Sequence, residues 1–116
     1  MQFLNRSVAI IKPKQPFVDW INSTDPNSDF KMTLEIVRSD PTCILIPEFA
    51  SPKEGQNYIK KIYDEIWHWS LFGYWTDEKA YPKHRPFEKF KEWFDVELCS
   101  EVLDFIDEDI EKGRNP

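Results

Sequence analysis

At 116 residues and a formal net charge of −6, the chain has room for one hydrophobic core and lacks the cationic excess that general nucleic-acid binding needs. Apolar residues make up 41%, too many for a disordered chain despite 31% charged residues. The longest unbroken apolar runs, 8–11 and 43–46, are strand-sized and far short of the roughly 20 residues of a membrane helix.

In chain order, Ser7 to Lys12 is rich in β-branched residues and stopped by Pro13, which predicts a buried first strand. Lys14-Gln15-Pro16 then opens a short helix, with Phe17, Trp20 and Ile21 on its apolar face. Residues 22–31 are turn chemistry throughout, and a flexible loop is expected there. Met32 to Val37 fits both periods; the helical reading, capped by Thr33 with Leu34 and Val37 inward, is preferred over a strand. Thr42 to Ile46 predicts a second strand, ended by Pro47.

Ser51-Pro52-Lys53-Glu54 is the clearest local signal, a capping box with proline at the first helical position. The long helix that follows should bury Ile59, Ile62, Ile66 and Trp69, bring Trp67, His68 and Trp69 together, and stop at Gly73. An aromatic, charged connector covers 74–84, with a single helical turn expected after Thr76. From Pro86, the spacing of Phe87, Phe90 and Trp93 or Phe94 predicts a short helix. At Phe94 the period changes to two, setting Phe94, Val96 and Leu98 on one strand face and Asp95, Glu97 and Cys99 on the other. A mixed acidic and apolar piece closes the chain, with a disordered tail from about residue 112.

The expected architecture is α/β in the α+β sense. It is a single domain over 1–116, with a small sheet of about three strands covered by one long and two or three short helices. A right-handed crossover would join the first two strands if they lie parallel. Cys43 and Cys99 sit in apolar runs without CxxC spacing, so they are expected as buried free thiols in a reducing compartment. The N-terminus shows no leader pattern, and a cytoplasmic location is expected.

Charge is distributed unevenly. Residues 79–91 carry Lys79, Lys83, Arg85, Lys89 and Lys91 against Glu88 alone, while residues 92–111 carry nine acids and no Lys or Arg. Such a block is usually a solvated face, and its functional reading is a docking surface for a basic partner.

The pattern of Arg6-Ser7, Pro13-Lys14-Gln15-Pro16-Phe17 through Asp19-Trp20, Leu45-Ile46-Pro47-Glu48, and Arg85-Pro86-Phe87 through Phe90 to Trp93-Phe94-Asp95-Val96-Glu97 resembles a set of small uncharacterised bacterial proteins. The resemblance spans most of the chain and implies a bacterial cytosolic domain. It carries no activity, cofactor or catalytic residue with it.

Two functional classes follow from the residues. Trp67, Tyr74, Trp75 and Tyr81 lie beside His84 and Arg85, and Trp, Tyr and Arg are the residues that dominate binding hot spots. This favours a non-enzymatic protein-interaction domain, either a homo-oligomer or an acidic inhibitor or immunity-type protein, with no cofactor, nucleic acid or membrane as partner. The alternative is a small metal-dependent hydrolase or nuclease using Glu48, Asp95 and Glu97 as oxygen ligands. With only Gly55, Gly73 and Gly113, the chain has no glycine-rich phosphate loop. His68 and His84 have no ligand-spaced partner for zinc.

Overall fold

The computed structural model describes residues 1–113. In chain order they form β1 (Gln2–Phe3), β2 (Ser7–Pro13), α1 (Gln15–Thr24), α2 (Leu34–Arg38), β3 (Thr42–Ile46), α3 (Pro52–Phe72), a 3-10 turn (Glu78–Ala80), α4 (Phe87–Trp93), β4 (Phe94–Cys99) and β5 (Leu103–Asp104). The result is a small single-domain α+β structure with two sheets. The principal sheet has three strands in the order β3-β2-β4, and β1 pairs with β5 in a two-stranded ribbon.

Both neighbours of β2 run antiparallel to it. The crossover rule for parallel strands therefore has nothing to act on. Register aligns Ala9 with Ile44 and Leu98, and Ile11 with Thr42 and Val96. These residues, with Ser7, Ile46 and Phe94, make the face covered by helices. Ser7 is fully buried, and its hydroxyl donates to the Ser100 carbonyl at 3.1 Å.

The opposite face alternates Val8, Ile10 and Lys12 with Cys43 and Leu45 on one side and Asp95, Glu97 and Cys99 on the other. Cys43 is exposed and Cys99 partly so, which corrects the expectation of buried thiols. They flank β2 on separate strands, two strand spacings apart and offset by two residues, a separation of about 12 Å. That is too far for a disulfide.

The expected cap forms with its return bond shifted by one residue: the Ser51 hydroxyl accepts from the Glu54 amide at 3.4 Å, and the Glu54 carboxylate accepts from the amide of Ala50, just before the cap, at 2.7 Å. The helix runs to Phe72 as expected, but its buried stripe does not keep one direction. Gly55, Ile59 and Ile66 are buried, and so are Trp67 and Leu71, whereas Trp69 is exposed and Ile62 half-buried. Trp67 lies about 100° around the helix from Ile66, so the covered face rotates as α3 leaves the sheet and meets α4. Trp67 and Trp69 consequently point apart. Gly73 closes the helix in a right-handed conformation, with its amide bonded to Trp69 O.

α2 confirms the helical reading of the ambiguous segment. Thr33 caps it by accepting from the Ile36 amide at 3.2 Å, and Val37 is buried, but Leu34 is exposed. A helix this short turns only one residue inward. Asn22 ties the preceding loop at both ends of an amide, donating to Met32 O at 3.0 Å and accepting from Met32 N at 2.7 Å. Of the tail expected from residue 112, residues 114–116 lie outside the described residues.

Aromatic rings fill the core. Trp67 packs against Phe90, Trp93 and Phe94 at centroid distances of 5.9, 5.3 and 6.2 Å, and Phe17 packs against Trp20, Trp93 and Phe94. Truncating Phe90 to alanine should cost about 3–5 kcal/mol in denaturant unfolding, since it opens a cavity under both α3 and β4. A midpoint matching wild type would remove Phe90 from the core. Ser51→Ala should cost about 1 kcal/mol through the lost cap. In the native protein Cys43 should react with a thiol reagent before Cys99, and oxidation should produce no internal disulfide; mass spectrometry of the labelled and oxidised chain reads both outcomes.

Candidate functional site

The sequence singled out six residues for binding, and the fold separates them. Trp67 is 0% exposed and Tyr81 5%, so both are scaffold and offer no area to a partner. Tyr81 is fixed from two sides: its hydroxyl donates to Trp75 O at 2.6 Å, and its ring meets Trp20 edge-on at 6.0 Å. Arg85 is half-buried and makes a two-nitrogen contact with Asp64, at 2.9 and 3.4 Å. His84 is exposed, and its carbonyl accepts from the Lys89 ammonium at 3.3 Å.

Tyr74 and Trp75 do reach the surface, at 44% and 36% exposure. Two further residues join them at the C-terminal end of α3: Trp69 at 46% and Phe72 at 39%. Their rings meet edge-on at 5.7 Å, and the His68 imidazole touches both, at 5.7 Å from Trp69 and 6.4 Å from Phe72. Tyr74 leans back on buried Phe17 at 5.6 Å. Trp69 and Phe72 were missed as surface residues. The available signal was the i, i+3 spacing of two large apolar groups immediately before the Gly73 stop, where a helix outruns the sheet it covers.

Electrostatics around this end are paired rather than open. His68 Nε2 lies 3.9 Å from Glu78, and these two with Tyr81, Pro82, Lys83 and Arg85 line a shallow depression of about 490 Å³. Burial pushes the Tyr81 hydroxyl above its ordinary value, with Glu78 and Asp77 adding to the shift and Arg85 opposing it. Burial raises Tyr74 as well.

The carboxylates proposed as metal ligands do not converge. Asp95 and Glu97 share the outer face of β4, but Lys12 holds Glu97 at 2.8 Å and Arg38 holds Asp95 at 3.0 Å. Lys14 approaches Asp95 to 4.0 Å. Glu48 follows the other edge strand at the end where Ile46 faces Ser7, whereas Asp95 faces Lys12 at the opposite end. The distance along the sheet is on the order of 20 Å. Among the described residues, no group of three or more His, Cys, Asp or Glu is placed to hold a metal ion. No helix among them is long and apolar enough to cross a membrane.

No protein-family model, curated protein or solved structure matches the chain. Function must therefore be argued from the surface itself.

Two outcomes test this description. Millimolar magnesium, calcium or manganese should leave the melting temperature unchanged, because Asp95 and Glu97 already have cationic partners; a saturable shift lost in Asp95→Asn would overturn that. Raised tyrosine values in the fold mean that their contribution to stability is whole below pH 10 and lost as pH climbs through the higher folded values. Unfolding followed from pH 8 to 12 should show a decline that begins above pH 10 and is shallower in Tyr81→Phe.

Proposed function

We propose that this chain is a non-enzymatic protein-binding domain, cytoplasmic and bacterial, whose partner seats on the aromatic end formed by Trp69, Phe72, Tyr74 and Trp75. One observation carries the reading: four large aromatic side chains are half-exposed at one end of a rigid scaffold. Partly exposed aromatics supply wide contact area with few rotatable bonds, so holding them in place costs a partner little entropy. Their backbone is anchored from below. Trp75 N bonds to Leu71 O at 3.0 Å, and Trp75 O accepts from buried Tyr81.

Charge shapes the rim. The connector exposes both signs, Lys79, Lys83 and His84 beside Asp77 and Glu78, while Asp64 and Arg85 satisfy each other. A partner with an apolar protrusion and a rim of mixed charge fits this surface. The acidic C-terminal block lies on other elements and is not needed for this reading.

Immobilised wild-type chain and a Trp69→Ala/Trp75→Ala variant, each offered extract from the source cell, test it. A specific protein should be retained by the first and lost by the second, with dissociation at least about tenfold faster for the variant. Matching circular dichroism and melting would show that the variant is folded. Equal retention by both would remove the aromatic end from the interface.

A further inference from the structure

A second surface, on the opposite side of the sheet's edge, is open in a way the aromatic end does not explain. Among the described residues no strand pairs with the far side of β4. Between that edge, α3 and α4 runs a groove of about 660 Å³. Half-buried Phe87, Val96 and Leu98 supply its accessible apolar lining, over a base of buried Ile59, Phe90 and Phe94. Two ammonium groups hang over the Phe87 ring, Lys60 at 5.7 Å and Lys91 at 5.4 Å. Lys60 makes no ion pair among the described residues, and Lys91 has only exposed Glu88 at 3.0 Å. Asp95, the groove's one acid, is held by Arg38 on its other side. The groove thus offers an apolar floor with cations at its rim.

The same chain carries a segment of complementary chemistry. The β1–β5 ribbon follows the Ser7/Cys99 end of the sheet, and the molecule is elongated, 48 Å against 30 and 27 Å. Its radius of gyration of 15.9 Å exceeds the value of about 13.4 Å expected for a compact chain of this length. Beyond β5, Phe105, Ile106 and Ile110 are 77, 67 and 58% exposed. Asp104, Asp107, Glu108, Asp109 and Glu111 are interspersed with them. A two-stranded ribbon with apolar side chains in water is marginal by itself. Apolar residues on this scale are more than a surface scatter requires.

We infer that residues 105–111 of a second copy occupy the groove between α3, α4 and β4, so that the chain forms a dimer by reciprocal exchange of its C-terminal segments. Phe105, Ile106 and Ile110 enter the apolar floor, and the interspersed carboxylates meet Lys60 and Lys91. Extended, residues 105–111 span about 23 Å, and the six residues of β4 along the groove span about 20 Å. A two-fold exchange fills both grooves at once and doubles the buried area, which a single short segment would leave below that of a stable complex.

Sedimentation equilibrium of the full chain between about 1 and 200 µM, an interval covering micromolar affinity, tests the exchange. The expected result is a monomer–dimer equilibrium whose dissociation constant rises at least about tenfold in Phe105→Asp/Ile110→Asp, two exposed positions whose substitution leaves the core intact. A charge-swap pair isolates the site. Lys60→Glu/Lys91→Glu and Asp107→Lys/Asp109→Lys should each dimerise weakly alone and recover a mixed dimer when combined. Three results would overturn the inference: a monomer throughout the range, a dimer unaffected by the Phe105/Ile110 substitutions, or charge variants that fail to recover on mixing. A monomer in which the segment is protected from protease would instead place it in its own groove, and that too would overturn exchange.

Discussion

The fold depends on two consecutive residues that are both buried, Trp93 and Phe94. In a continuous helix or a continuous strand, neighbours diverge by about 100° or 180° and cannot both face one ring cluster closely. Here the chain changes from helix to strand between them, with Trp93 the last residue of α4 and Phe94 the first of β4. Trp93 then meets Trp67 at 5.3 Å while Phe94 meets Phe17 at 5.2 Å and Phe90 at 5.0 Å. The junction is pinned by the Lys14 amide donating to Trp93 O at 2.8 Å, where β2 hands over to α1. One turn of backbone therefore locks α1, α3 and α4 onto the sheet. Among the described residues the buried Trp67 Nε1 has no acceptor; a buried donor left unpaired costs about 1–3 kcal/mol.

This arrangement leaves the sheet one-sided. All the large rings go to the face under the helices, so the outer face keeps the smaller side chains of Val8, Ile10, Cys43, Leu45 and Cys99 with an ion-paired end. Lys12, Arg38, Asp95 and Glu97 satisfy each other there across three elements. These pairs are partly exposed, so each contributes little to stability. Their effect is to fix register at the end of β4 that adjoins α4, where a slip of one residue would turn Phe94 outward.

The three strands of the principal sheet, the long helix and the short final helix were legible because each announces itself locally; the two-residue strands β1 and β5, which exist only through pairing with each other, were not expected. Ser51 and Glu54 satisfy amides within their own turn, and the change of period at Phe94 is written in six adjacent residues. What escaped depends on distant partners. The burial of Trp67 rather than Trp69 follows from where α4 lies, and nothing within α3 specifies that. Cys43 sits in an apolar run that reads as buried, yet its exposure follows from no element covering the outer face. Tyr81 and Trp67 were counted as surface aromatics from their neighbours in sequence; the hydrogen bond to Trp75 O and the ring contacts with Phe90 and Trp93 come from tertiary packing. Of the binding candidates, only Tyr74, Trp75 and His84 stand exposed, and Trp69 and Phe72 complete the aromatic end.

The number of aromatic residues in a chain this small explains why some must remain outside. The helices cover one face of a three-stranded sheet, and that layer is already occupied by Phe17, Trp20, Trp67, Tyr81, Phe90, Trp93 and Phe94. Close packing leaves no room for four more rings there. Trp69, Phe72, Tyr74 and Trp75 lie at the edge of that layer, Tyr74 resting on Phe17, and each keeps more than a third of its surface in water. Such a surface, on backbone anchored by buried Tyr81, is physically suited to contact with another molecule.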